Sequence, residues 1–370
     1  MADDGLLDKI HSLGDVQLAV LLCLVSREHG LLSTPAHAIH DLIEELQLVA
    51  TKTFGLGCVV VDCGPETTLD DFASALLCAP PSSSPSPPSA DASWPTPSAS
   101  YFVSKLQHLA LGSASPVAPA PSHIANCVLA RNLDRAPRVV QIQALELLRT
   151  RRIFTRTSVQ PAPKQFVFLP VLEADSGGQA HLTHHLNDFF CLAHWHDPDD
   201  GFPNLDNQDD AAAHGHGDEV ASTDSVIRPA RPPGATVPVA PLISETEISQ
   251  LAQLSQQTQV DVDILRYQMN IVSFLRFHRA TAQGMTPAAT KHFDKLMRCL
   301  APLHNLDYVT PGLVQLAARK VYLHRIRITT PQQERSMQWG SRLEAVKALL
   351  QGVGPEDVID NVLDEVQVPL

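Results

Sequence analysis

Ile39-His40-Asp41-Leu42-Ile43-Glu44-Glu45-Leu46-Gln47-Leu48-Val49, followed shortly by Cys58-Val59-Val60-Val61, changes period within about twenty residues. In the first stretch Ile39, Leu42, Ile43, Leu46 and Val49 recur at helical spacing, which predicts an amphipathic helix. The second is a short, continuous, β-branched run bounded by Gly57 and Gly64, which predicts a strand buried on both faces. Working outward, Val16 to Glu28 has helical spacing again, and further apolar runs stand at Ile124 to Leu129 and Phe166-Val167-Phe168-Leu169. Strands alternating with helices predict an α/β fold, a parallel sheet with flanking helices on both faces.

Beyond this half of the chain the pattern changes. Ser244-x-x-Glu247 is a capping box that opens a helix with Ile248, Leu251 and Leu254 inward. Leu265, Met269, Val272 and Leu275 mark a second helix. Thr286-Pro287 and Thr310-Pro311 each supply an N-cap followed by Pro at the first helical position. An α-helical unit therefore follows the α/β unit. Between them, from about His194, the chain is first acidic and then Pro-rich. Residues 80–100 are almost wholly Pro, Ser and Ala, a composition that buries too little apolar surface to offset chain entropy. The expected organisation is a core at 1–193 with a disordered insertion at about 80–100, a linker at 194–243, a helical domain at 244–330 and a helical tail at 331–370.

With 370 residues, 44% apolar, the chain is long enough for two or three such units, at about 150 residues each. Its 27 Lys and Arg against 40 Asp and Glu give a net charge of -13, which argues against a protein built to grip phosphate backbones. The strongest basic run, Arg149 to Arg156, fits a helix end, where cations are favoured by the dipole. No stretch approaches a membrane span, and the acidic start Met1-Ala2-Asp3-Asp4 is unlike a secretory signal, so an intracellular protein is expected. The seven Cys are never spaced C-x-x-C and read as small core residues.

From Asn132 to Thr155 the chain reads Asn-Leu-Asp-Arg-Ala-Pro-Arg-Val-Val-Gln-Ile-Gln-Ala-Leu-Glu-Leu-Leu-Arg-Thr-Arg-Arg-Ile-Phe-Thr. This resembles the segment after Walker B in the MoxR and magnesium-chelatase subunit I branch of the AAA+ ATPases, as a fungal-type member. Asp134, Arg135, Ala136, Pro137, Gln141 and Glu146 occupy the motif positions. Leu303 to Pro311 with Leu323-His324-Arg325-Ile326 resembles the same branch's lid. The resemblance implies a P-loop-type α/β core with an α-helical lid, a β-hairpin after residue 150, and ATP with magnesium as cofactors.

The residues at the implied nucleotide site depart from that pattern. A P-loop needs glycines for close backbone approach, a Lys for the phosphates and a hydroxyl on magnesium. Here the positions read Pro35, Ala36, His37, Ala38, Ile39 and His40, and no Gly-x-x-x-x-Gly-Lys-[Ser/Thr] occurs anywhere. Walker B should end in Asp-Glu, yet Arg131-Asn132 follows the strand. Leu172 stands near the expected sensor Asn, Asp188 at the arginine-finger position and Ala288 at the second sensor. No catalytic residue is assigned, no metal ligand, and no cofactor unless ATP and magnesium are held in an altered geometry.

The expected function is a non-hydrolysing scaffold or adaptor that binds protein partners, as an AAA+ homo- or hetero-oligomer. The alternative is an ATP-dependent magnesium-chelatase-like ATPase working with an active partner subunit. A His-rich set, His184, His185, His194, His196, His214 and His216, suits a transition metal by chemistry, but reads as a solvated polar loop. The tail from Glu334 to Ser341, followed by Leu343, Val346, Leu349 and Leu350 at helical spacing, either docks a partner or packs on the protein's own lid.

Overall fold

The computed structural model describes residues 4–78, 123–155, 158–206 and 241–369. The expected insertion at 80–100, most of the expected linker, and His214 and His216 lie outside the described residues. Helices α1 (Asp4–His11) and α2 (Asp15–Ser26) precede strand β1 (His29–Thr34). Helix α3 (Ile39–Leu48), β2 (Cys58–Asp62), α4 (Leu69–Ala75) and the short strands β3 (Leu77–Cys78) and β4 (His123–Ile124) follow. Then come β5 (Cys127–Arg131), α5 (Arg138–Thr150), the hairpin β6 (Arg152–Phe154) and β7 (Val159–Pro161), β8 (Val167–Glu173), α6 (His184–Asn187) and β9 (Phe190–Trp195).

Five of these strands form one parallel sheet in the order β2-β5-β8-β1-β9. The central strand β8 is buried along nearly its whole length, which is why its sequence runs apolar without alternation, and β1 beside it is buried throughout although it carries His29, Ser33 and Thr34. The edge strand β2 is only half-buried. Two apolar clusters, one on each face, fill the spaces between sheet and helices. Ile124 to Leu129 does not make one strand: Ile124 pairs with Leu77 in a separate two-stranded ribbon, and β5 begins at Cys127.

Helix α2 is buried at ten of its twelve residues and lies between the sheet and the helical domain. Its approach to β1 is close: a Cβ on Gly30 would stand 2.7 Å from Cys23 Sγ, so that strand position has no room for a side chain.

The helical domain contains α7 (Glu245–Gln257), α8 (Val262–Phe277), α9 (Pro287–Leu303) and α10 (Pro311–Tyr322). The caps expected from sequence are present: Ser244, Thr286 and Thr310 side chains accept from the backbone N–H of Glu247, Ala289 and Leu313. Two expectations need correction. A short antiparallel pair, β10 (Thr281–Gln283) with β11 (Arg327–Ile328), interrupts what the sequence reads as purely helical. In α8 the buried face is Ile264, Tyr267, Gln268, Ile271, Val272 and Leu275, whereas Leu265 and Met269 are exposed. The inward face is set by the neighbours α10 and the tail, and the helix is apolar enough on both sides for the periodicity to be misphased.

Strand β9 runs two residues past the expected core end at 193. Asn204 and Leu205 N–H groups still bond the buried Glu45 carboxylate of α3. In the tail, α11 (Leu343–Leu350) and α12 (Pro355–Glu365) are helices, and α12 packs against α8 and α10. The tail therefore covers the protein's own helical domain. Arg279 pairs with buried Glu334 at 3.2 Å, and Arg319 pairs with Asp360.

Candidate functional site

The carboxyl ends of the strands carry the loops in which an open α/β sheet places ligands. After β1, Pro35 leads into a single 3-10 turn, Ala36 to Ala38, and then into α3. The Ala38 N–H is bonded to Pro35 O at 3.0 Å, so it turns inward on its own loop. Ile39 is 2% exposed and packs into the apolar cluster beneath the sheet. His37 is exposed, and His40 lies 3.3 Å from Glu44 one helical turn on, at the surface. Thr34, which closes the strand, donates to His196 O at 3.1 Å and so ties the ends of β1 and β9 together.

At the end of β5, Arg131 faces Asp62 of β2 at 3.7 Å. Asn132 turns the chain with a left-handed φ of 51°. Its Nδ2 donates to Glu173 Oε1 at 2.8 Å, and Arg135 reaches the other oxygen of the same carboxylate at 2.5 Å. Asn132 Oδ1 is buried without a partner. The Asp134-Arg135-Ala136-Pro137 turn is held from inside by Gln141, whose Nε2 donates to Asp134 O and Ala136 O, both at 3.2 Å, and whose Oε1 accepts from Thr183 N. Glu146 lies exposed on the outer face of α5. The structure thus brings Asn132 and Arg135 together on Glu173, with Gln141 behind them, while Arg131 turns to Asp62. Leu172 is buried in β8.

The opposite end of the sheet is occupied by the helical domain. Arg325, 4% exposed, donates to Asp188 Oδ1 at 3.3 Å, to Asp188 O and Phe190 O at 3.2 and 2.5 Å, to Val321 O at 2.5 Å and towards His292 Nδ1 at 2.7 Å. Thr286, besides capping α9, donates to Asp188 Oδ1 at 2.6 Å. Lys295 pairs with Glu28 at 2.5 Å. Asn187 and His181 both reach the carbonyl of His324. Burial, reinforced by the neighbouring Arg325 and Lys295 cations, pushes His292 down to about 3. His29 is likewise lowered by burial to about 3, with Arg151 and Lys295 adding to it.

The positions that the resemblance assigns to one nucleotide site are therefore split. Phe190 is opposite His29 at the start of β1, and Trp195 is opposite Ser33 at its end. At about 3.3 Å per residue, a strand of that length separates Asp188 and Ala288 from Pro35 to His40 by roughly 15 Å or more. The segment 182–189, which holds Asp188 at the implied arginine-finger position, is engaged with this chain's own 321–327. The Thr286 to Asp188 bond joins residues 98 apart and has no local signal in the sequence.

Of the His-rich set, His184 and His185 stack edge to face at 5.2 Å, while His194 and His196 are buried at the end of β9. Among the described residues no three metal-ligating side chains converge. No helix among them is long and apolar enough to cross a membrane.

Comparison with known proteins agrees with this architecture. Residues 273–345 match the AAA lid domain family. The whole fold is similar to the crystal structure of a presumptive ATPase from Cytophaga hutchinsonii, at 14% identity and a TM-score of 0.61, covering 99% of this chain and 94% of that one. A full-length MCM homolog from Methanopyrus kandleri is similar at 12% identity over 86% of this chain and 57% of that one, with a TM-score of 0.43. No curated protein matches the sequence. The chain has an α/β AAA+ ATPase-like fold, a five-stranded parallel sheet followed by an AAA lid domain. The lid match begins inside α8 and ends in α11, overlapping the helical domain expected at 244–330.

Proposed function

We propose that this is a AAA+ protein of the MoxR and magnesium-chelatase-like branch whose nucleotide site has decayed, and that it acts as a non-hydrolysing scaffold or adaptor in a protein assembly. The observation that carries the reading is Ile39. It takes the place of the phosphate-binding Lys, and its side chain is 2% exposed, directed into the core. Around it, Ala36 and Ala38 replace the glycines and His40 replaces the hydroxyl residue. Arg131 puts a guanidinium where a magnesium-binding carboxylate would stand, and Asn132 spends its amide on Glu173. This donor set does not fit a magnesium nucleotide, so no step is derived through one. Phosphoryl transfer is positioning plus charge stabilisation, and each missing group costs on the order of 10²-fold.

A fold that keeps its sheet, its lid and the clasp between them, but not the phosphate contacts, retains its surfaces. Protein partners, in a homo- or hetero-oligomer of AAA+ type, are the class those surfaces would serve. The test is calorimetric titration of the purified chain with ATP, ADP and a non-hydrolysable analogue, with and without magnesium. The expected result is no saturable heat up to millimolar nucleotide. Micromolar, magnesium-dependent binding overturns the reading.

A further inference from the structure

A cavity of about 390 Å³ opens between α1, α2, β9 and the helices α9 and α10. Its wall is mostly apolar, with Leu18 and Leu22 on one side and Leu296 and Leu300 on the other. Lys320 and His194, side by side, break that wall. Lys320 Nζ lies 3.0 Å from His194 Nδ1, and both residues line the space. Burial holds His194 neutral, down to about 3, so its Nδ1 accepts from the ammonium and its proton sits on Nε2, which is buried without an acceptor.

Lys320 is half-buried and makes no direct ion pair among the described residues. Burial pulls it below the ordinary lysine range, and the Asp15 carboxylate, which also lines the cavity, opposes this only through space. His11 and His304 complete the titratable groups on the wall. An ammonium beside an apolar void has given up water with only the distant Asp15 charge to offset it, and this is costly unless an anion in direct contact supplies the rest.

We propose that the cavity is a binding site for a medium-chain carboxylic acid, with the carboxylate on Lys320 Nζ and the hydrocarbon chain among Leu18, Leu22, Leu296 and Leu300. The shape sets the length. A cavity of about 150 Å³ takes a six-carbon ring, so this one takes a chain of about ten to fourteen carbons. An apolar amine would meet Lys320 with like charge, and a neutral lipid would leave the ammonium unpaired. Because α9 and α10 belong to the lid region and α2 and β9 to the core, a bound acid bridges the two. This inference is independent of whether nucleotide binds.

The experiment is calorimetric titration of the full chain with decanoate below its micellar concentration, in the absence of nucleotide, beside decan-1-ol. Decanoate is expected to saturate at one per chain and to bind at least tenfold tighter than the alcohol. Lys320→Met should erase that preference while leaving the alcohol unchanged, and Lys320→Gln should do the same if the Met variant is poorly folded. Leu18→Trp, which fills the cavity from a half-buried position, should abolish both, whereas adsorption to the exposed apolar face of α8 would survive it. Decanoate that does not saturate, acid and alcohol bound equally by the unaltered chain, or binding unaffected by Leu18→Trp overturns the proposal.

Discussion

The two ends of the central sheet are built on opposite principles. At the amino ends of β1 and β9, charged and polar groups are buried and spent on one another: Arg325 on Asp188 and backbone carbonyls, Thr286 on Asp188, Lys295 on Glu28. At the carboxyl ends, Arg131, Asp62, Arg135 and His40 pair near water, where solvent screens them. The ion pairs at the carboxyl ends are thus weakly determined, and the buried polar clasp on the lid at the amino end of β9 is strongly determined. Energetic investment in this fold lies in holding its two units together.

The largest effect is expected from breaking the clasp. Arg325→Met removes a buried guanidinium, leaves Asp188 with Thr286 but no counter-charge, and takes a donor from three backbone carbonyls; it should cost about 3–5 kcal/mol in urea unfolding. A loss below about 1 kcal/mol would show that the clasp is incidental. Acid should act next. His29 and His292 are held at about 3 in the folded chain against an ordinary value near 6.5, so the unfolded chain binds the extra protons. Stability is then full above about pH 6.5 and falls as pH drops towards 3, by up to about 1.4 kcal/mol per pH unit for each histidine. Unfolding free energies measured between pH 7.5 and 5 check the slope, and His292→Gln should flatten it. The smallest effect belongs to the other end. Arg131→Ala breaks a pair at 3.7 Å whose Asp62 side chain is 76% exposed, and should change stability by about 0.5 kcal/mol or less. A loss comparable to that of Arg325→Met would erase the contrast between the two ends.

The strands were legible because β2, β5 and β8 are continuous apolar runs, and such runs survive only in a covered parallel sheet. The helix starts were legible because a cap is a local bond, Ser244 to Glu247 N or Thr310 to Leu313 N. The face of α8 was not: Leu265 and Met269 carry the same hydrophobic signal as Ile271 and Leu275, and only the presence of α10 and α12 on one side decides which are covered. Of the candidate site, the chemistry of each residue was plain in the sequence, as with the apolar side chain of Ile39. Its arrangement was not, since the contact of Asp188 with Thr286 and Arg325, away from the turn at Ala36–Ala38, depends on a packing that no local pattern encodes.

The sequence by itself therefore determined the alternation of strands and helices and their caps, because these depend on neighbours a few residues away. Only the tertiary structure decided that the lid packs along β9, that the tail covers the lid, and that Lys320 meets His194 across 126 residues beside an apolar cavity. Such contacts depend on which surfaces exclude water together, and that is a property of the packed chain rather than of any segment of it.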